Sequence, residues 1–383
     1  MRFLSRLTPA VAALLMSLGV VSPASACSEF GEMLQATLDR LVPACPSAAC
    51  AEAFPAPAFA PVAPAAGDAA CRKPGLGALL RAMAETLKAD GFVLLGEIHD
   101  NSAHHALRAG LVAHLATAKP SAAKPAVGAA VVFEQFSADQ QSALEAFAAM
   151  PAPRTAADLM GKLAWDKSPW SKMADYAPLF DAAVASGAAI HAGDPGRAAM
   201  RQSAREGAGG LSPDEQVRLG LATPLDPALD AASLAEIEGS HCGLLPKSAF
   251  PGMAFAQRYR DASLARALIS AARGGGAILI AGNGHVRRDR GVPWYLDRLA
   301  TGRPVLVVTF GEAEAGRADA AYAAPRAPSG QAAADWVVLA PKAERNSDPC
   351  EDMRAAFKSM KAPAQGPGNA APAAPAPSSA PAQ

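Results

Sequence analysis

Within the stretch LLGEIHDNSAHH, the residues Glu97, His99, Asp100, His104 and His105 follow directly on the apolar run Phe92-Val93-Leu94-Leu95. A carboxylate and an imidazole two positions apart are groups that exchange protons near neutral pH or hold a divalent metal. Similar groups recur after other apolar runs. Glu134 follows Val131-Val132-Phe133, Asp194 follows the short AAIH run, and His285 closes GAILIAGNGH. Gathered in one place, Glu97, His99, Glu134 and His285 have the chemistry to activate a water against an ester or amide, or to ligate a divalent metal. Taken singly, each has a plainer role: the histidines would hold loops, and the carboxylates would pair with Arg287 or Arg288. Four such residues converging on strand ends favour the functional reading. His104 and His105 open the next helical segment and weigh less; His114, further along it, reads as structural.

The elements that must position these groups come from the hydrophobic pattern. Short apolar runs, FVLL, AVVF, AAIH, AILI, PVLVVTF and DWVVLAP, alternate with segments of helical spacing. Continuous apolar strands separated by helices indicate a parallel sheet buried on both faces. The expected fold is therefore α/β: a parallel β-sheet flanked by helices, its core formed by 76–196 and 274–341. From 197 to 273 no strand pattern appears, and the segment is predicted as a smaller inserted all-helical subdomain. In an open α/β sheet, ligands bind beyond the carboxyl ends of the strands, which is where the four residues would meet. Gly96, Gly282 and Gly284 suit tight turns and close backbone approach, and Asn283 tolerates left-handed geometry. The GNGH sequence lacks the spacing of a nucleotide-binding loop.

The chain ends are different in character. Residues 1–26 carry Arg2 and Arg6, an apolar stretch from Val11 to Val21 and the small residues Ala24-Ser25-Ala26, the pattern of a secretory signal peptide. Export is expected, to the periplasm or, through lipid on Cys27, to a membrane; Ala24 stands where a lipobox usually has Leu, and lipidation and simple cleavage are both open. Residues 27–75 read as a Pro/Ala-rich linker and 342–383 as a disordered Pro/Ala-rich tail. In an oxidising compartment the remaining cysteines, Cys45, Cys50, Cys71, Cys242 and Cys350, are expected in disulfides. Lys plus Arg and Asp plus Glu balance at 35 each, so no overall field favours nucleic acid.

Six ordered stretches, LLGEIHDNSAHH, VVFEQFSADQQ, WSKMADYAPLFDAA, SHCGLLP, MAFAQRYRDASLA and AGNGHVRRDRGVPWYL, resemble the ChaN-like family of bacterial haem-binding lipoproteins linked to haem uptake. The resemblance implies a parallel sheet with helices, a smaller helical domain, and ferric haem bound where two monomers meet. It further implies a tyrosine ligand to iron from one monomer, with a histidine and a lysine of the other holding the propionates. Tyr176 best matches the family's Trp-then-Tyr-Pro segment, although Ala177 intervenes before Pro178; Tyr259 and Tyr295 are alternatives. His241 and Lys247 match the propionate-holding pair, and Trp165, Trp170 and Phe180 are candidates to stack on a porphyrin. The implied partners are haem, a second copy of the chain and an outer-membrane haem receptor. A wider likeness, to erythromycin esterases and certain metal-dependent peptidases, implies the alternative of a hydrolase using the strand-end residues, with a divalent metal as its candidate cofactor.

Overall fold

The computed structural model describes residues 58–61, 76–117, 129–173, 175–313, 324–345 and 347–361. The signal-peptide stretch and four of the cysteines lie outside the described residues. The strands are β1 (Ala58–Pro61), β2 (Phe92–Leu95), β3 (Ala130–Ser137), β4 (Ile190–Asp194), β5 (Ala277–Ile280), β6 (Val305–Glu312) and β7 (Trp336–Ala340). They form one sheet in the order β1-β7-β6-β2-β5-β3-β4. Every pairing from β7 to β4 is parallel, as the apolar runs predict, and β1 joins β7 antiparallel. β1 lies inside the expected linker. Its proline ends a short edge strand, a position where the missing N–H costs no ladder bond.

The helices are α1 (Leu76–Lys88), α2 (Ser102–Thr117), α3 (Gln141–Ala148), α4 (Ala156–Lys162), α5 (Ala177–Ala185), α6 (Arg197–Glu206), α7 (Pro213–Leu219), α8 (Pro227–Ser240), α9 (Phe250–Ala271), α10 (Val292–Leu299) and α11 (Pro349–Lys361). Successive strand residues point to opposite faces, so each apolar strand feeds two cores. Val93, Leu95, Val131 and Phe133 pack with α1, α2 and α5. Phe92, Leu94, Val132 and Leu279 pack with Leu264 and Leu268 of α9 and with Trp294 and Tyr295 of α10. The segment 197–273 is helical, and α9 packs against β3, β4 and β5, so it forms one layer of the sandwich.

The expected structureless tail gives way at α11. This helix is joined to the end of α8 by a disulfide between Cys242 and Cys350, 108 positions apart in sequence.

Candidate functional site

Three neighbouring strands, β2, β5 and β3, end at the same rim. β2 delivers Glu97 and His99, β5 delivers Gly282 and His285, and β3 delivers Glu134 and Gln135. Pairing of β3 with β5 runs only to Phe133, opposite Ile280, and the register with β4 shifts between Phe133 and Ser137. Glu134 thus leaves the ladder while still inside its strand. As adjacent strand residues, Glu134 and Gln135 face opposite layers, and each serves a different cluster.

The first cluster surrounds Glu97, which is fully buried (0% exposed). His99 Nδ1 lies 2.5 Å from its Oε1, Gln135 Nε2 donates to that oxygen at 2.8 Å, and the Tyr176 hydroxyl donates to it at 2.8 Å. On Oε2, the Arg108 guanidinium is in contact and His105 Nε2 lies at 3.1 Å. The donors on Oε1 and the Arg108 cation at Oε2 favour a carboxylate; His105 is not among the donors, since its Nδ1 faces Asp175 O and burial lowers it to about 4. His99 Nδ1 then carries the proton it shares with Glu97, which leaves Nε2 with a lone pair. Burial lowers the His99 pKa, in competition with nearby Glu134, and this favours the neutral ring. Tyr176 is pushed up above the ordinary phenol range by burial, and its ring lies 3.9 Å from that of His105. His104 has a scaffold role: Nδ1 accepts from Ile98 N–H at 3.0 Å, Nε2 faces Gly311 O at 3.3 Å, and burial lowers it to about 3.

The second cluster comes from the opposite layer. His285 presents Nδ1 to Asp261 Oδ1 at 2.6 Å and Nε2 to Glu134 Oε1 at 3.2 Å. With a carboxylate on each nitrogen, the ring is held as an imidazolium. Burial alone would lower its pKa, but Glu134 and Asp261 raise it to about 10. Arg260 bridges outward from the cluster, with Nε 2.9 Å from Asp194 Oδ2 and Nη1 3.9 Å from Glu134 Oε1. Arg287 and Arg288, the pairing partners considered for these carboxylates, instead bind Asp289 and Asp335.

The two clusters touch at Gly282. Its N–H donates to Glu134 Oε2 at 2.7 Å, and a Cβ added there would lie 2.6 Å from His99 Nε2. Gly96 is equally constrained, with Asn283 Oδ1 2.2 Å from where its Cβ would sit, whereas a Cβ on Gly284 would make only an ordinary contact, with Glu236 Oε1 at 3.8 Å. Asn283 is not left-handed; its amide bonds both Phe310 O, at 2.6 Å, and Phe310 N, at 3.0 Å, and so ties the turn to β6.

The structure therefore brings Glu97, His99, Glu134 and His285 together and adds Tyr176 to them. His241 and Lys247 lie elsewhere: His241 Nδ1 faces Ile237 O at 2.8 Å at the end of α8, and Lys247, 83% exposed, sits 3.7 Å from Glu238. Trp165 and Phe180 are core residues packed on Phe136 and Tyr176, while half-buried Trp170 lies against His99 with ring centroids 4.8 Å apart. Among the described residues no group of three or more His, Cys, Asp or Glu is arranged for the divalent metal. The reason is that the His285 nitrogens and His99 Nδ1 are already turned to carboxylates.

Residues that sequence reading passed over are Arg108, Gln135, Arg260 and Asp261. Arg108 falls three positions after His105 on the same helix face. Asp261 lies on the apolar stripe of α9 with Leu264, Ala265 and Leu268, and an acidic residue on a core-facing stripe is itself a signal.

The model for the family described as haem-binding uptake, Tiki superfamily, ChaN matches residues 83–296, which contain both clusters. The chain belongs to this ChaN family. No curated protein matches it. Among solved structures, this ChaN-family chain is similar to the ChaN of Campylobacter jejuni, a structure of cofacial haem binding. Identity there is 20% over 68% of this chain and 92% of that one, with a TM-score of 0.49. It is also similar to an erythromycin esterase mutant, EreC in its open conformation, at 14% identity over 70% and 94% of the two chains with a TM-score of 0.39. A succinoglycan biosynthesis protein matches at 13% identity over 63% and 71%, TM-score 0.32.

Proposed function

We propose that the protein is an exported haem-binding protein that supports haem or iron uptake by capture and hand-over. Membership of the haem-binding uptake family carries this reading. The donor types on one side of the molecule fit such a ligand. A pocket of about 760 Å³ is lined by Met160, Trp165, Lys172, Met173 and Tyr176 among others, within the range of small-molecule sites. Thioethers and an indole suit a porphyrin, an ammonium suits a propionate, and a phenol suits ferric iron. Tyr176 borders this pocket and remains the proposed ligand, although its hydroxyl would first have to leave Glu97. Bound haem would supply the ferric centre; His241 and Lys247 would hold propionates of haem shared with a second copy, and a haem receptor in the outer membrane would take the cargo. Export rests on residues 1–26, and the Cys242–Cys350 disulfide agrees with an oxidising compartment. Anchoring through Cys27 belongs to the same proposal. Ferric haem titrated into the purified protein should give a saturable visible band. Tyr176→Phe, which removes only the hydroxyl, should weaken binding by about tenfold or more, equivalent to about 1.4 kcal/mol. A titration without saturation would sink the reading.

The two histidine–carboxylate pairs meeting at Gly282 favour a second reading, acid–base hydrolysis of an ester. The oxygen of a water molecule adds to the carbonyl carbon as His99 Nε2 takes its proton. The bond to the alcohol oxygen then breaks, and His99 returns the proton to that oxygen. The His285 imidazolium and Arg260 face the negative charge that develops. The surrounding carboxylates Glu134, Asp194 and Asp261 select a neutral carbonyl over a phosphoester. Hydrolysis of p-nitrophenyl acyl esters should fall by about a hundredfold or more in His99→Gln. Failure of the wild type to cleave any member of an ester panel would discard this reading while leaving the haem reading untouched.

A further inference from the structure

The pocket bordered by Tyr176 holds a cation of its own. Lys172 lines it together with Tyr176, Trp165, Met160 and Met173. It is the last residue of the short turn Pro169–Lys172. Ser168 Oγ accepts from Trp170 N at 3.3 Å and Ser171 Oγ donates to Ser168 O at 2.7 Å, which fixes the start of that turn. Trp170 fixes its middle by resting on the core and on His99. The backbone that carries Lys172 is therefore set in advance, while the side chain is exposed and ends in a compact charge on a flexible stem. Two acids, Asp166 and Asp175, also line the pocket. Asp175 Oδ1 accepts from Ala177 N–H at 2.9 Å, and among the described residues Lys172 pairs with no carboxylate.

His241 and Lys247 lie on the other side of the sheet. Tyr176 and Trp165 belong to the core shared with α2 and α5. His241 caps α8, and Lys247 opens the turn Lys247–Ala249. Both elements pack on α9, whose Leu264 and Leu268 lie in the opposite core. Within one chain the sheet thus separates these two residues from the pocket. A ligand seated at Tyr176 meets His241 and Lys247 only on a second copy, whereas Lys172 is beside it from the start.

We propose that Lys172 holds a propionate of the haem from the same chain as Tyr176, so that capture is a one-chain event and pairing with a second copy follows it. The assignment rests on the haem reading and adds to it the cation and the order of events. An ammonium in the lining of a pocket walled by thioethers and an indole pairs with a carboxylate carried on a flat apolar ring. Binding completed by one chain is independent of protein concentration, while a site that needs two chains is not.

The test is titration of the purified protein with ferric haem and with its dimethyl ester, in which both propionates are capped, read by the visible band and by sedimentation. Ferric haem should saturate the protein in a species of single-chain mass, with an affinity unchanged when the protein is diluted about tenfold. Lys172→Gln should weaken ferric haem binding by about fivefold or more and leave the dimethyl ester within about twofold of wild type. Lys167→Gln, at an exposed lysine outside the lining, controls for lost surface charge and should stay within about twofold for both. An unchanged haem affinity in Lys172→Gln overturns the assignment. An equal loss for the dimethyl ester also overturns it, because Lys172 would then act by packing alone. Saturation confined to a two-chain species overturns the one-chain order. In each of these results the haem reading stands; absence of saturation in the wild type removes that reading and the assignment together.

Discussion

His285 carries a carboxylate on each ring nitrogen, and this dictates how its charge couples to folding. Its pKa is held at about 10 in the folded chain, against about 6.5 when unfolded. Below pH 6.5 both states are protonated and the stabilisation is complete. As pH rises from there through about 10, the unfolded chain has lost a proton that the folded chain keeps, so stability falls. Urea midpoints measured from pH 6 to 10 should therefore decline in the wild type and decline less in His285→Gln. Asp261→Asn should lower the His285 titration by about 1–3 units, read by NMR of the imidazole. An unmoved titration would mean that Asp261 is not what holds the charge. The acid–base residues were legible in the sequence because each stands just past an apolar run. Arg108 and Asp261 were not, because both sit inside helices where a charge ordinarily reads as solvent-facing.

At the scale of elements, α9 decides much of the geometry, since it packs under three strands and supplies Gln257, Arg260 and Asp261 to the site. Its position depends on a close approach to α6: a Cβ on Gly252 would fall 2.1 Å from Ala204 O. That neighbour is backbone and cannot rotate away. Gly252→Ala should therefore destabilise the protein by about 1–3 kcal/mol, seen as a lower urea midpoint with an unchanged slope. A loss of only a few tenths of a kcal/mol would show that the two helices separate freely. Every parallel strand was readable from its apolar run. The short β1 was hidden, because prolines mark a segment as unfit for a sheet interior and say nothing against its edge. α11 was hidden because the Pro/Ala composition around it masks a helix that a distant cysteine holds in place.

For the molecule as a whole, the three-layer arrangement explains why the site needs both halves of the chain. Glu97, His105, Arg108 and Tyr176 belong to the layer of α2 and α5, and Arg260 and Asp261 to that of α9; only the carboxyl edge of the sheet lets the two sets meet. Sequence order placed the strands but not the layers, so the convergence of Glu97 and His285 was inferable while the inclusion of Tyr176 was not. The antiparallel seat of β1 beside β7 carries a practical consequence for studies of assembly. A shortened chain beginning after Pro61 would bare the β7 side of the sheet, whose unsatisfied amides and carbonyls could recruit a like strand from a neighbouring molecule. Dimers seen with such a truncation would report that exposed seam, and a ligand-bridged pair must be sought in protein that keeps residues 58–61.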